Sequence, residues 1–383
     1  MTSVFNRKNS TMTMKVMCAI LFLFFSFLYL YEYQADILAV AQHVLSDGQT
    51  HYNRTIGAVL ITAVLYLLQI GVYAVTKLSK RTHAMTYFPS LLILAIITDI
   101  SPNIDLHFSF GAWLVVFPLL LILYGFFVWA CRQFQPYEAD VNSSGLFSRM
   151  MWINVLTMSV MFMLVGMVSN HNDVFHYRMH IEQCLLEGKD QEAVRTGSQS
   201  LASDSSLTML RAYALSRTNQ LGDKLFEYPI VGNSESLLPN GSSVRLLMYP
   251  EQKLYAYLGM WFKQPFSPMH YLTFIERHHV AKKPACDYLL CGYLMDKNLD
   301  AFVHAIGKYY DLKSASLPKH YREALILYTH LRSHPVIVFH SSVMDADFQD
   351  YQDMENKYAD KQLRKSALRD TFGNTYWYYY QYQ

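Results

Sequence analysis

Two carboxylates directly after the first apolar segment have the type and spacing that chemistry at a membrane surface would need. Glu32 and Asp36 are four residues apart and follow the apolar residues 16–30. Side chains four apart lie on the same face of a helix, and a carboxylate near a bilayer can act as a general base or hold a divalent cation. Asp99 and Asp105 form a second acidic stretch after a later apolar segment. We take Glu32 and Asp36 as the candidate catalytic residues, against the simpler interpretation that acidic residues beside a membrane span are ordinary.

Two histidines in the polar half of the chain are the other residues with metal-ligand spacing. His176 and His180 would share a helix face, and His171 and Glu182 lie near them in the sequence. A zinc site needs three or four ligands that converge on one point, and this face offers no convincing third ligand. No HExxH pattern appears either. The sequence favours exposed histidines beside the membrane, and we predict neither a metal site nor a cofactor.

The cysteines do not suggest redox or nucleophilic chemistry. Cys18 and Cys131 belong to apolar segments, whereas Cys184, Cys286 and Cys291 lie in the polar half. Cys286 and Cys291 would point in different directions from one predicted helix, so a disulfide between them is not expected. A pair that includes Cys184 stays open, but an odd number of thiols in this half favours free cysteines. The chain also lacks CxxC, GxSxG and a glycine-rich phosphate loop, which argues against a soluble type of enzyme.

Five apolar segments in residues 1–168 have the composition of membrane spans. Residues 150–168 carry no charged side chain, and a helix of about 20 apolar residues crosses the hydrocarbon core of a bilayer. The third segment is shorter and contains Pro89, so it is a short or tilted span or a re-entrant hairpin. We predict a transmembrane domain with about five spans, near residues 16–33, 56–76, 84–98, 108–131 and 150–168.

Lysine and arginine residues are distributed unevenly between the short loops. They precede the first span, follow the second and separate the fourth from the fifth, whereas the opposite loops carry only Arg54 among them. Because cationic loops are retained in the cytoplasm, five spans place the N-terminus in the cytoplasm and residues 169–383 in the periplasm. If residues 84–98 do not cross, the alternation fails and residues 169–383 face the cytoplasm instead.

Residues 169–383 have no long apolar run and are predicted to fold as paired short helices. Helix stops near Gly188 and Asn219 are 31 residues apart, which is the length scale of helical-repeat solenoids. Prolines and glycines cluster in residues 230–270, which indicates a loop-rich insertion. We therefore predict a soluble, TPR-like helical-repeat domain over residues 169–383.

The end of the sequence is its most aromatic stretch. Residues 376–382 contain five tyrosines and one tryptophan, and such rings need an apolar surface to contact. Packing against the helical-repeat domain itself is one explanation, and binding of a partner or of the membrane interface is the other. The candidate interaction residues are Tyr376, Trp377, Tyr378, Tyr379 and Tyr380.

Two short stretches combine with the spans and the TPR-like helix pairs into a recognisable pattern. They are residues 31–36, YEYQAD, and residues 375–380, TYWYYY. This combination resembles a membrane-protein family of Bacteroidota that is catalogued as a domain of unknown function. The resemblance implies the inner membrane of a Gram-negative bacterium, and it implies no established activity, substrate or catalytic residue.

The composition and the net charge of the chain limit the classes of partner that it can bind. The chain is 52% hydrophobic and 16% charged with a formal net charge of +2, so a membrane part is combined with a soluble part. No strongly basic face exists, which argues against nucleic acid as a partner. The lipid bilayer and an envelope protein bound by the helical-repeat domain are the expected partners.

The sequence thus predicts an all-α protein, with a bundle of about five transmembrane helices followed by a soluble TPR-like domain. We interpret it as a periplasm-facing scaffold rather than an enzyme, because helical repeats present extended binding surfaces. The alternative is a membrane-embedded, glycosyltransferase-like enzyme that acts on a lipid-linked substrate. Enzymes of that type place acidic residues in their first external loop, where Glu32 and Asp36 are expected here.

Overall fold

Helices make up all regular structure in the part of the chain that the computed structural model describes, residues 2–107, 109–134, 148–264 and 266–383. This confirms the all-α fold. The chain divides into two compact units, Met1–Asn172 and Asp173–Gln383. We call the first the N-terminal bundle and the second the C-terminal unit.

Among the described residues, the N-terminal bundle contains four helices that are long and apolar enough to cross a membrane. They cover Met12–Tyr33, Arg54–Thr76, Trp113–Phe134 and Arg149–Val168. The α-helices of this unit are α1 (Thr2–Leu28), α2 (Ala35–Leu45), α3 (Arg54–Thr76), α4 (Phe88–Thr98), α5 (Trp113–Phe134) and α6 (Arg149–Val168). A π-helical turn, Tyr29–Tyr33, continues α1, and a 3-10 helix, Lys80–Tyr87, precedes α4. Residue 108, where the fourth predicted span begins, lies outside the described residues.

The third predicted span is built differently from the others. Its α-helical part, α4, has 11 residues, and a 3-10 helix leads into it. Pro89 explains the change, because its ring nitrogen has no hydrogen to donate to the carbonyl of Met85. The Phe88 N–H bonds that carbonyl instead, which is the hydrogen-bond pattern of a 3-10 helix. The 3-10 stretch is not one straight helix, because Thr82 within it has non-helical backbone angles (φ −108°, ψ 15°).

Asn154 connects the start of this segment to α6. Its Oδ1 accepts a hydrogen bond from Ala84 N at 2.8 Å, and its Nδ2 donates to Lys80 O at 2.9 Å. Asn154 is fully buried, and backbone polar groups in an apolar environment need protein partners of this kind. The beginning of the third segment therefore lies beside the first turns of α6.

Asn170 connects the other end of the same segment to the residues just after α6. Its backbone N–H donates to Thr98 O at 3.2 Å, and its side-chain Nδ2 donates to Ile100 O at 2.5 Å. Residues 80–100 therefore run beside α6 over its length and in the same direction.

Polar contacts at both ends also hold α1 in the bundle. Lys15 Nζ donates to Tyr73 OH of α3 at 2.6 Å. At the opposite end, Tyr29 OH forms a hydrogen bond with Ser169 Oγ. Between these ends the buried side chains are mostly apolar and include Cys18, Phe22, Leu65, Leu91 and Met158.

The C-terminal unit is a succession of shorter helices. They are α7 (Asp173–Glu187), α8 (Asp190–Arg195), α9 (Ser205–Arg217), α10 (Leu221–Lys224), α11 (Glu251–Leu258), α12 (Pro268–Arg277), α13 (Lys283–Met295), α14 (Leu299–Ile306), α15 (Lys319–Leu331), α16 (Ser342–Lys357), α17 (Lys361–Phe372) and α18 (Tyr376–Tyr382), with 3-10 turns at Leu225–Glu227 and Ser234–Ser236. Consecutive helices pack as pairs, for example α7 with α8, α13 with α14 and α16 with α17. Their apolar faces meet in one core that includes Tyr213, Leu290, Phe302, Ile326 and Trp377.

A glycine permits close contact between α10 and α15. A Cβ atom on Gly222 would lie 2.7 Å from the ring of Tyr321 and 2.9 Å from Pro318 Cβ. Any side chain at this position would force the two helices apart, so sequence-distant helices meet here because the residue is small.

Candidate functional site

A cavity of about 880 Å³ opens at one end of the N-terminal bundle. Its apolar wall includes Leu38 of α2, Ile96 of α4 and Trp113 of α5, and its polar lining includes Asp99 and His107. Small-molecule sites are commonly apolar clefts of this size with a few polar groups. The arrangement suits an amphiphilic ligand that has an apolar part and a polar head.

The carboxylate that faces this cavity is Asp99. Trp113 Nε1 donates to Asp99 Oδ2 at 2.8 Å, which fixes the position of the carboxylate at the cavity wall. Asp105, which belongs to the same acidic stretch, is exposed and is not among the lining residues.

The structure does not bring Glu32 and Asp36 to the cavity. Glu32 lies in the π-helical turn after α1 and is exposed. Asp36 lies in the first turn of α2 and is partly buried. Neither residue lines the cavity, so a catalytic role for them stays a prediction without support from this geometry.

The aromatic end of the sequence forms α18 and is buried within its own unit. Tyr376, Trp377, Tyr378 and Tyr379 are at most 4% exposed, and Tyr380 is partly buried. Of the two explanations that the sequence leaves open, the described packing corresponds to the internal one. Partner binding by these residues stays a prediction, and the four buried side chains would have to leave the core to take part in it.

Two tyrosine hydroxyls of α18 bind the last carbonyls of α13. Tyr376 OH donates to Leu294 O at 3.1 Å, and Tyr379 OH donates to Met295 O at 2.9 Å. The last carbonyls of a helix have no α-helical partner, so α18 supplies hydrogen bonds where α13 ends. Lys297 Nζ lies 5.7 Å from the ring centroid of Tyr379, where the ring face attracts a cation.

A buried carboxylate on α15 fixes the start of α18. Glu323 is 1% exposed, and its Oε2 accepts a hydrogen bond from Tyr376 N at 2.7 Å. The same oxygen forms a hydrogen bond with His320 Nδ1 at 2.8 Å, and Trp377 Nε1 donates to Glu323 O at 2.8 Å. These contacts join residues that are 53 positions apart in the sequence into one polar cluster inside the core.

A second buried carboxylate, Glu182 of α7, holds the loop before α11. It is fully buried, and its oxygens accept the backbone N–H groups of Leu247, Met248 and Tyr249 at distances from 2.6 to 3.2 Å. Burial raises the pKa of this carboxyl above its ordinary value, and the backbone hydrogen bonds and the charge of Arg178 counteract only part of that rise. The side chain supplies acceptors that a loop without secondary structure lacks.

A third acid, Asp287 of α13, faces two tyrosine hydroxyls. Tyr310 OH and Tyr321 OH donate to its Oδ1 at 2.6 Å and 2.9 Å, yet burial still raises the pKa of Asp287. The neighbouring Cys291 Sγ lies 3.6 Å from Tyr321 OH, and burial raises the pKa of this thiol well above its usual range. Cys291 is therefore protonated at neutral pH, which is unsuitable for a nucleophile. All five cysteines of the chain are free.

Sequence reasoning did not assign these three acids their roles. In the sequence, Glu182 stands out only as a neighbour of the histidines, and no motif singles out Asp287 or Glu323. A signal was present, because each lies among apolar residues on a helix, where an acidic side chain is costly unless it finds a partner. The partners themselves lie far away in the sequence and could not be read from it.

Residues 266–383 match the model of a family described as a family of unknown function (DUF6057). The matched segment contains α12 to α18, and with them Asp287, Glu323 and the aromatic helix. The chain is therefore similar over this segment to a domain of unknown function, as the sequence led us to expect. No curated protein and no solved structure matches the chain.

Proposed function

We propose that this chain is a bacterial inner-membrane protein whose N-terminal bundle crosses the membrane five times and holds the C-terminal unit in the periplasm as a TPR-like scaffold for an envelope protein. The observation that carries the topology is the attachment of residues 80–100 to α6 at both ends. The proposal for the scaffold role rests on an exposed, irregular segment of the C-terminal unit, residues 336–340.

The asparagine contacts support a fifth crossing. α6 is one of the four helices long enough to span a bilayer, and residues 80–100 run beside it from Asn154 to Asn170. A segment that accompanies a spanning helix over its length crosses the same thickness of bilayer. Five crossings make the chain leave the bundle at the end opposite to the one where it enters.

The basic residues support the orientation. Lys15, Lys80 and Arg149 all lie at the end of the bundle where Asn154 holds the third segment, together with the loop that carries Lys77 and Arg81. Because cationic loops stay in the cytoplasm, this end is cytoplasmic in the proposal and the residues after α6 are periplasmic.

Fusion proteins test this topology. We expect alkaline phosphatase fused after Gln383 to be active, and phosphatase fused after Val75 or Cys131 to be inactive, in a Gram-negative host. A fluorescent protein that folds only in the cytoplasm should give the opposite pattern at the three positions. Fluorescence after Gln383 would contradict the five-span topology and would redirect the search to cytoplasmic partners.

The segment lies between α15 and α16 and forms neither helix nor strand, with bends at Val336 and Ile337. Ile337 and Phe339 of this segment pack against the core, whereas Val336 and Val338 are 67% and 60% exposed. The Phe339 N–H donates to Thr329 Oγ1 of α15 at 3.2 Å, which holds the segment along the helix. The Val336 N–H likewise donates to Tyr328 OH of α15 at 3.4 Å, and no described backbone group of residues 336–340 pairs with another backbone group.

Side chains that alternate between the core and the solvent, as those of residues 336–339 do, are a feature of a strand edge. An extended peptide adds to such an edge through main-chain hydrogen bonds, and alternate side chains provide specificity. The outward row of Val336 and Val338 would contact apolar side chains of the added peptide. We therefore propose an extended segment of an envelope protein as the partner that the scaffold holds.

Cross-linking in cells tests the scaffold role. We expect a photoreactive amino acid at Val338 to give one discrete protein adduct, because the side chain points away from the core. The same probe at Lys365, an exposed residue of α17, serves as the matched control and should give none. Val336→Asp should remove the adduct by placing a charge in the apolar row, and an adduct that survives this change would argue against the edge as the binding surface.

A glycosyltransferase-like enzyme that acts on a lipid-linked substrate is the second candidate. The cavity with Asp99 in its wall favours it, because an amphiphilic substrate needs an apolar wall beside a polar group. The same cross-linking experiment separates the two, since a scaffold retains its adduct when Asp99→Asn removes the charge from the cavity wall. A variant that keeps its adduct and its normal abundance but no longer supports the protein's role in the cell would favour the enzyme.

A further inference from the structure

We infer that His180, Cys184 and Glu192 form a binding site for a divalent transition-metal ion and that the ligand set suits zinc. The three residues lie at the first helix pair of the C-terminal unit, and the inference is independent of the proposed scaffold function. The protein could act as a scaffold without binding a metal ion, and it could bind a metal ion without acting as a scaffold.

The three ligand atoms already lie close together. His180 Nε2 is 3.6 Å from Cys184 Sγ and 3.5 Å from Glu192 Oε1, and all three atoms lie within 4.8 Å of one another. With ordinary zinc bond lengths, a tetrahedral site separates sulfur from nitrogen by about 3.6 Å and nitrogen from oxygen by about 3.4 Å. Two of the three separations therefore match those of a tetrahedral zinc site, and the third, between Cys184 Sγ and Glu192, is within 4.8 Å.

The helix pair explains why the residues converge. His180 and Cys184 are one turn apart on α7, which places them on one face. Gly188 has a φ of +73°, which lets the chain reverse directly after α7, and Lys189 N donates back to Cys184 O at 2.8 Å. α8 then returns along α7 and brings Glu192 to the same face.

The exposure of the site fits an ion that enters from solvent and retains a water ligand. The Cys184 residue is 3% exposed, whereas the side chains of His180 and Glu192 are 30% and 52% exposed. One side of the cluster is thus buried and the other open, which leaves a fourth position for water beside three protein ligands. The nearby cation Lys189 is paired with Glu187 at 2.8 Å, which reduces its repulsion of a bound metal ion.

Residue spacing along α7 does not reveal this set, because α7 supplies only two of its three ligands, His180 and Cys184. The third ligand comes from the following helix, beyond a glycine turn. Combined nitrogen, sulfur and oxygen ligands favour zinc or a related transition ion over calcium or magnesium, which prefer oxygen alone.

The competing explanation is that the same atoms satisfy one another without metal. An ion pair between His180 and Glu192 beside a buried thiol would have similar distances. The two explanations differ in one property, since only a metal site forms a bond from the Cys184 sulfur to an added ion.

Cobalt(II) titration of the full chain tests the inference. The protein is purified in detergent, treated with a chelator, and titrated with cobalt(II) and then zinc(II) alone. We expect one equivalent of cobalt to produce a thiolate-to-cobalt charge-transfer band in the near ultraviolet, and zinc to displace it. Cys184→Ser should abolish the band, and Glu192→Gln should weaken binding by about tenfold or more.

Cys286→Ser and His304→Ala are the matched controls, because Cys286 is a partly exposed thiol and His304 an exposed histidine on other helices. Both variants should bind cobalt as the unchanged protein does. Absence of the band in the unchanged protein, or a band that persists in Cys184→Ser, would overturn the inference. Glu192 is largely exposed, so Glu192→Gln is expected to fold and keeps the test decisive if Cys184→Ser does not.

Discussion

Trp377→Ala is expected to destabilise the C-terminal unit by about 3–5 kcal/mol, which is the usual cost of removing a large buried aromatic side chain. Trp377 is 2% exposed and contacts the rings of Phe348 and Tyr351 at centroid distances of 5.1 Å and 6.0 Å. Its loss leaves a cavity between α15, α16 and α18 and removes the hydrogen bond from its indole to Glu323 O. Hydrogen exchange of the full chain in detergent measures this destabilisation. The backbone amides of α15 should exchange faster in Trp377→Ala than in the unchanged protein.

Trp261→Ala is the matched control for this prediction. Trp261 belongs to the same unit but is 40% exposed, so its replacement should change the stability by no more than about 1 kcal/mol. Equal effects of the two replacements would show that burial of α18 does not stabilise the unit, and would revive the interpretation of the aromatic residues as a free binding surface.

Glu182→Ala is expected to cost about 3 kcal/mol or more, because it leaves the N–H groups of Leu247, Met248 and Tyr249 without their acceptor. The loop before α11 should then open locally, which hydrogen exchange of residues 244–250 would detect. Glu182→Gln keeps one acceptor oxygen and serves as the milder comparison. Unchanged exchange in Glu182→Ala would mean that the loop is held by its apolar side chains instead.

The same residue gives a pH dependence of known sign. Burial raises the pKa of Glu182 in the folded state above its ordinary value of 4.5, so the folded protein binds this proton more tightly than the unfolded chain does. The protonated Glu182 carboxyl therefore stabilises the folded state at low pH. This stabilisation is lost as the pH rises from about 4.5 through the raised folded-state pKa of Glu182. Unfolding curves over this range should show the slope in the unchanged protein and a smaller slope in Glu182→Gln. Equal slopes would assign the pH dependence to other groups.

The membrane half was the more predictable part of this fold. Charge-free runs such as residues 150–168 have the length of a span, and that length follows directly from the helical rise and the bilayer thickness. The third segment was harder, because Pro89 indicates a break without indicating that a 3-10 helix replaces the missing α-helical turns. Only the hydrogen bonds to α6 reveal how far the segment extends.

The sites were less predictable because they depend on contacts between distant residues. The composition of α18 shows that it needs an apolar surface, but the surface belongs to α13 and α15, and Tyr376 binds Leu294 across 82 positions. Glu192 reaches the thiol of Cys184 only because Gly188 reverses the chain. Neither helical periodicity nor motif spacing contains such information, since both describe residues of a single element.

The attachment of residues 80–100 to α6 also has a consequence for the order of membrane insertion. Its polar anchors, Asn154 and Asn170, are each synthesised 70 residues after the backbone groups that they bind at Ala84 and Ile100. When the third segment leaves the insertion machinery, its 11-residue α-helix can already bind α3, for example through Ser90 Oγ and Leu65 O, but its anchors on the α6 side do not yet exist. In the proposed topology, the last span of the bundle therefore completes the attachment of the third.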